Sequence, residues 1–456
     1  MREILNKINA VDYAIRDLKV ALNFAKGPGP DTTDNLRVSL SNETIAAIAT
    51  GGAGGAIDPS LIDASGSVRT SSKHITGYYT NLRGISRDLD QEVVGTGAIT
   101  FAPAVRGVLL EALALDDRAI IKSFPVHPYI PGRGCLYEFT FIGFDNELGS
   151  VKRVGAYHSN KVSPFQSNFD GFYLESYSVG EVSTYKVVIA NNGTLTEIPR
   201  EGWYDPLDGT GPSGKTVDFS KFTILRADFL WLGGSRLKMS LYIDGAFIPF
   251  HYYYHANNVA GLIFTQSNLP VRAEVFGTTG IASTPSMTFV CSSVSVEDGE
   301  ELPGNSRVVE TGVTATTDLS MATAGVTYLG IALRIKSTYD DVYCVLKEIS
   351  SLSSSNDDLY LQIIVNPVIA GDALNWADAD EYGAIEYAIG ASNNIITGGI
   401  RTSGVLIEAG SAATAVKDKL KRIGKTLDGT ADIIAIALTP ASNGASGSVS
   451  LTYLQI

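Results

Sequence analysis

The sequence predicts a mostly β protein: an N-terminal helical arm over residues 1–65, an antiparallel sandwich or jelly roll over 66–302, and a smaller β-rich sandwich over 303–456. Three observations predict it. Two-residue alternation of apolar and polar side chains, broken by tight glycine turns, runs through most of the chain. A seven-residue apolar stripe is confined to the first turns of the N-terminus. Charged residues make up only 18% of the sequence, against 46 glycines and 21 tyrosines, a balance typical of β-rich surface proteins.

The arm comes first. Ile4, Ile8, Val11, Ile15, Leu18 and Leu22 are separated by alternating steps of four and three, which is a heptad seam. Mostly β-branched residues at both core positions favour three or four parallel strands over two. An amphipathic helix packed on its own domain has nearly the same spacing, and the pattern alone leaves both open. "GPGPD" from Gly27 to Asp31 then stops the helix.

The central region reads as strands. "CLYEFTFIGF" alternates, "IANNGTLTEI" is a hairpin turning at Asn192-Gly193, and "RLKMSLYIDGAFIPFHYYY" is a second turning at Asp244-Gly245. "VRAEVFG" and "SMTFVCSSVSVEDG" complete the set. Beyond a boundary at "LPGNSRVVETG", runs such as "TYLGIALRIKS" and "DIIAIALTP" repeat the pattern, and "SVSLTYLQI" supplies a last strand. The one basic stretch, "TAVKDKLKRIGKTLDG", reads as an exposed loop or short amphipathic turn.

Composition narrows the partners. A net charge of −13 argues against nucleic acid, which needs a cationic footprint. No apolar run approaches the ~18 residues of a membrane span, so no membrane partner is expected. Charges through the first turns leave no core for a signal peptide. Cys135, Cys291 and Cys344 are an odd number without C-x-x-C spacing, which points to free thiols.

One short motif needs weighing. Gly209–Thr216, "GTGPSGKT", matches the phosphate-binding pattern G-x-x-x-x-G-K-[ST]. That loop works only between a buried strand and a helix that begins at its lysine. Upstream, Pro199, Gly202 and Pro206 interrupt; downstream, "VDFSKFTILRADFLWLGG" is strand-like. The match is accidental on this reading, and no nucleotide, metal or other cofactor is expected.

The run "NFDGFYLESYS", then "WYDPLDGTGPSGKTVDFSKFTILRADFLWLGGSRLKMSLYIDG", then "HYYYHANN" and "SNLPVRAEVFG" resembles a family of virion structural proteins of tailed bacteriophages, found also in some large eukaryotic DNA viruses. The resemblance is dense over about residues 130 to 290 and looser after 300. It implies a concanavalin-like jelly roll in a phage head, neck or tail appendage.

Sandwiches of that shape include glycoside hydrolases, whose retaining members place paired carboxylates on one strand face. No E-x-D-x-E or E-x-D-x-x-E spacing occurs, and Asp170, Glu175 and Asp228 read as isolated, solvated or loop-capping acids. His251 and His255 stand about 13 Å apart in an extended strand at ~3.3 Å per residue, too far to share a metal. Tyr252, Tyr253, Tyr254, Trp203, Trp231, Phe229 and Phe250 could stack on sugars, although alternation turns about half of them inward.

The expected function is therefore structural and non-enzymatic: a bacteriophage virion protein, a homotrimeric head or neck fibre or a capsid decoration protein, assembled in the host cytoplasm. Its partners would be itself and other virion proteins such as capsid, portal or tail proteins. The alternative is a receptor-binding tail appendage that adheres to host-surface glycans.

Overall fold

The computed structural model describes residues 73–456 except 161–166, 180–181, 231, 233, 282, 298–303, 313–317, 382 and 416–421. The heptad residues Ile4, Ile8, Val11, Ile15, Leu18 and Leu22 lie outside the described residues, as does the rest of the arm.

Fifteen strands build the first sandwich. They are β1 (Lys73–Thr80), β2 (Leu89–Val94), β3 (Ala98–Ala102), β4 (Gly107–Glu111), β5 (Arg118–Ser123), β6 (Cys135–Ile142), β7 (Ser150–His158), β8 (Asp170–Val179), β9 (Val182–Asn191), β10 (Thr194–Pro199), β11 (Thr223–Phe229), β12 (Arg236–Ile243), β13 (Ala246–Tyr254), β14 (Val271–Gly277) and β15 (Ser286–Glu297). One sheet runs β13-β12-β11-β6-β15-β4-β3, with β1 also on β15; the other runs β10-β9-β8-β7-β14-β5-β2. Every described pairing is antiparallel. The chain crosses between the sheets at β1 to β2, β2 to β3, β4 to β5, β5 to β6, β6 to β7, β10 to β11, β13 to β14 and β14 to β15, so most neighbours are distant in sequence.

Alternation decides which side chains meet between the sheets. Tyr137, Phe139 and Phe141 of β6, Leu225, Ala227 and Phe229 of β11, and Leu237, Met239 and Leu241 of β12 face Val154 and Ala156 of β7, Phe172 and Leu174 of β8, and Val271, Ala273 and Val275 of β14 in one buried cluster. Each large side chain so buried contributes about 1.5–3 kcal/mol. Tyr137 sits at its centre, stacked on Phe139 and Phe229 and edge-on to Phe172 and His127. Both expected hairpins are present: Asn192-Gly193 joins β9 to β10 with φ of 43° and 86°, and Asp244-Gly245 joins β12 to β13 with φ of 50° and 87°. Two successive positive φ values make a turn whose twist matches the flanking strands.

The second sandwich has β16 (Asn305–Glu310), β17 (Leu319–Met321), β18 (Tyr328–Ile335), β19 (Cys344–Ser353), β20 (Leu359–Ala370), β21 (Ala377–Asp378), β22 (Ile385–Ile389), β23 (Ile395–Ile407), β24 (Ala412–Ala415), β25 (Arg422–Ile423), β26 (Ile434–Pro440) and β27 (Ala445–Gln455). One sheet is β16-β27-β19-β24, with β17 on β27 and β25 on β19. The other follows β21-β22-β18-β23-β20-β26, with β18 also paired to β26. A separate apolar cluster fills it, including Ile331, Leu346, Leu361, Ile436, Leu451 and Tyr453. The three cysteines are free; Cys135 and Cys344 are buried and Cys291 is half-buried.

The sandwiches are joined by specific contacts. The loop after β25 lies on the outer face of the second sheet, where Leu427 packs on Ile120. Lys122 Nζ donates to the carbonyls of Lys425 (3.0 Å) and Thr426 (3.3 Å), and the Leu427 amide donates to Asp90 Oδ2 at 2.6 Å. Gly424 is required there, because a Cβ would stand 2.2 Å from the Phe124 carbonyl carbon. Lys425 corrects the expectation of an exposed basic loop: it is 4% exposed, and its ammonium donates to the carbonyls of Lys336 and Tyr339.

Burial pushes the Lys122 ammonium down to about 8, partly opposed by Asp90. The unfolded chain then holds more protons than the folded one between about pH 8 and about pH 10.5, so stability rises with pH across that window. Lys122→Met is expected to flatten this rise. Urea unfolding of both proteins at the two ends of the window checks it; equal slopes contradict it.

Candidate functional site

Gly209–Thr216 forms a loop between the three-residue 3-10 turn at Arg200–Gly202 and β11, a strand. Its amides are engaged internally. Gly209 N donates to Lys215 O (3.0 Å), Gly214 N to Gly211 O (3.0 Å), Thr210 N to Asp208 Oδ1 (2.9 Å) and Ser213 N to Asp205 Oδ2 (2.8 Å). Lys215 Nζ pairs with Asp244 at 2.8 Å. The acceptors that hold these donors include three carboxylates, those of Asp205, Asp208 and Asp244.

Of the acids expected to be solvated or loop-capping, Asp170 caps loops, whereas Asp228 and Glu175 are neither solvated nor isolated. Asp170 is 3% exposed and accepts from the amides of Asn192, Thr265 and Gln266 and the Thr265 hydroxyl, which clamps two loops together. Asp228 is buried beside Lys238 at 3.4 Å. Glu175 belongs to a ladder that short-range spacing could not reveal. Strand register lines up Ile120, Glu274, Arg153, Glu175 and Lys186 across β5, β14, β7, β8 and β9 on the outer face of the second sheet. Signs alternate along the row, as cross-strand pairing favours.

The ladder is tightly bonded. Arg153 Nη1 meets Glu274 Oε1 at 2.5 Å and its Nε meets Glu175 Oε2 at 2.7 Å. Arg272 Nη2 meets Glu274 Oε2 at 2.7 Å, and Lys186 reaches Glu175 at 3.8 Å and Glu197 at 3.1 Å. Aromatic rings seal it: Arg153 lies over Phe169 and Tyr173, Arg272 over Tyr157 and Phe169, and Arg118 over Phe276. Gly155 leaves the strands close, since a Cβ there would be 2.2 Å from Phe172 O.

Electrostatics follow from this packing. Burial by itself would raise the Glu274 carboxyl, but Arg272, Arg153 and Arg118 together pull it down to about 2. Burial brings Arg118 down to about 10; Glu274 opposes the fall, and Arg153 and Arg272 add to it. A glycosidase acid needs a carboxyl held protonated near its working pH, and Glu274 is the opposite. The ladder orders a sheet face and the loops over it.

The histidines take separate places. His251 points to the core side, and burial pushes its imidazole down to about 4. His255 bonds the Gly261 carbonyl at 3.0 Å. Among the described residues no group of three His, Cys, Asp or Glu side chains could hold a metal.

The aromatic residues divide. Trp203, Phe229 and Phe250 are core, Tyr253 packs partly against it, and Trp231 lies outside the described residues. Tyr252 and Tyr254 leave the opposite face of β13, the end strand of its sheet. Their rings are 6.2 Å apart and 22° from parallel, with the Arg236 guanidinium 5.3 and 5.8 Å from their centroids. Tyr204 adds an edge contact to Tyr252 at 5.3 Å. The Asp205 amide fixes Tyr204 by donating to Phe250 O at 2.9 Å, while Trp203 turns inward and packs at a tilt against Phe250.

No family model and no curated protein matches the chain. Among solved structures it is similar to the carbohydrate recognition domain of Emp47p, at 10% identity over 50% of this chain and 98% of that one, with a TM-score of 0.34. It is also similar to the VIP36 exoplasmic/lumenal domain in its Ca2+/Man3GlcNAc-bound form, at 15% identity over 51% of this chain and 92% of that one, TM-score 0.34. A third is the Bacillus licheniformis beta-glucanase, at 12% identity over 50% of this chain and 99% of that one, TM-score 0.32. Likenesses of this size carry no argument about ligand or activity; the chain's own paired sheets establish the sandwich.

Proposed function

We propose that the chain is a non-enzymatic structural protein of a tailed-bacteriophage virion, in which a concanavalin-like jelly roll and a smaller sandwich project as a homotrimeric head or neck fibre or a capsid decoration protein. The observation that carries this reading is what the residues behind the family resemblance do. Asp205, in "WYDPLDGTGPSGKT", fastens its loop through the Leu207 and Ser213 amides. Asn268, in "SNLPVR", accepts from the Tyr129 amide at 2.7 Å and donates to Asp341 O of the second sandwich at 2.6 Å. Arg272 of the same segment bonds Ser159 and Glu274. These side chains fasten loops, sheets and the domain junction, which supports a family selected for shape.

Oligomeric state tests the reading. In mass photometry the full chain is expected as a trimer and the chain lacking residues 1–26 as a monomer. A monomeric full chain contradicts the fibre.

A second reading, adhesion to host-surface glycans, is favoured by the exposed tyrosines of the β13 edge.

A further inference from the structure

We propose that Tyr204, Tyr252, Tyr254 and Arg236 form a binding ledge for a hexopyranose unit of a neutral polysaccharide. The inference rests on the adhesion reading and assigns it a place. A pyranose presents a face of C–H groups ringed by hydroxyls, so its complement is an exposed aromatic plane rimmed by polar atoms. The ledge has that composition. Tyr204 and Tyr254 are 58% and 56% exposed, and three phenol hydroxyls and one guanidinium surround the ring carbons.

It is also held in place before any ligand arrives. Tyr252 and Tyr254 alternate with Tyr253 along one strand, and Arg236, the cross-strand partner of Tyr254, lies over both rings. Tyr204 is locked beside them by the Asp205–Phe250 hydrogen bond and the inward anchor of Trp203, whose Nε1 donates to Ile198 O at 3.1 Å. Rings fixed by their neighbours lose little freedom on binding, which is where stacking affinity is otherwise spent. The ring spacing along the strand suits a polymer laid parallel to β13. The ledge's one charged group, Arg236, already lies over the two rings, and the chain's net charge of −13 disfavours polyanions, so a neutral polymer fits best.

The test is affinity electrophoresis of the full chain through gels containing dextran, galactomannan, glucomannan or amylopectin, with alginate as the acidic arm. Retention is expected in at least one neutral gel, with the Tyr252→Ala/Tyr254→Ala variant raising the Kd about tenfold, a figure set by the worth of ring stacking. Tyr242→Ala, exposed on the adjoining strand outside the ledge, is expected to bind as the parent does. Undiminished retention of the double variant overturns the ledge and keeps adhesion. No retention in any gel removes both, and retention in alginate alone overturns the neutral class. Loss of the trimer in the double variant makes the ledge a subunit contact and overturns the proposal.

Discussion

Glu274→Gln is expected to lower the unfolding free energy by about 3–5 kcal/mol, the range seen when one partner of a buried ion pair is removed. The reason is local. Glu274 is 1% exposed and takes Arg153 on one oxygen and Arg272 on the other, with Arg118 close enough to be felt. A neutral amide fits the same space but removes the anion shared by two buried guanidiniums, leaving Glu175 on the far side of Arg153 as the acid still paired with that residue. Urea unfolding near neutral pH measures the loss. Acid gives an independent sign. The Glu274 pKa falls from 4.5 in the unfolded chain to about 2 in the folded one, so its stabilisation is complete above pH 4.5 and disappears as pH drops toward 2. The variant lacks that acid-sensitive contribution, so the gap between parent and variant should shrink across the window. A gap that stays constant, or a loss under about 1 kcal/mol, removes the ladder from the account.

Tyr137→Ala should cost as much for a different reason. The side chain is fully buried among Phe139, Phe172, Phe229 and His127, in the layer that holds the two sheets of the first sandwich together. Removing the ring opens a cavity that rigid strands cannot close, at about 3–5 kcal/mol for a large aromatic residue. Tyr137→Phe separates packing from hydrogen bonding. The hydroxyl donates to Leu269 O at 2.9 Å, but that carbonyl also accepts from the His127 amide at 3.1 Å and stays satisfied. Phenylalanine is therefore expected to cost about 1 kcal/mol or less. Thermal unfolding of both variants beside the parent reads the difference, and equal losses would show that the ring is not what matters.

Parts of this architecture are written locally and could be read. Asn192-Gly193 and Asp244-Gly245 demand positive φ at adjacent residues, and the strands on either side alternate, so both hairpins follow from a dozen residues each. The inward and outward division of Tyr252, Tyr253 and Tyr254 follows from the same two-residue period. The ladder does not. Ile120, Arg153, Glu175, Lys186 and Glu274 come from five strands, and only their register, set by long crossovers, brings the charges into line. Within its own strand Glu175 has Leu174 and Ser176 for neighbours and gives no sign of partners. Lys425 is obscured in the same way: it closes a basic stretch that includes Lys419, Lys421 and Arg422, yet the loop that carries it is the one that docks on β5. Asp170 shows a third cause, since the amides that satisfy it belong to segments around Asn192 and Thr265.

Whether the chain is a building block of a virion is tested most directly by quantitative mass spectrometry of density-purified phage particles from the host that makes it. The account predicts peptides from both sandwiches in the particles, in equal amounts and at a copy number divisible by three. Particles that are complete and infectious without those peptides would contradict it.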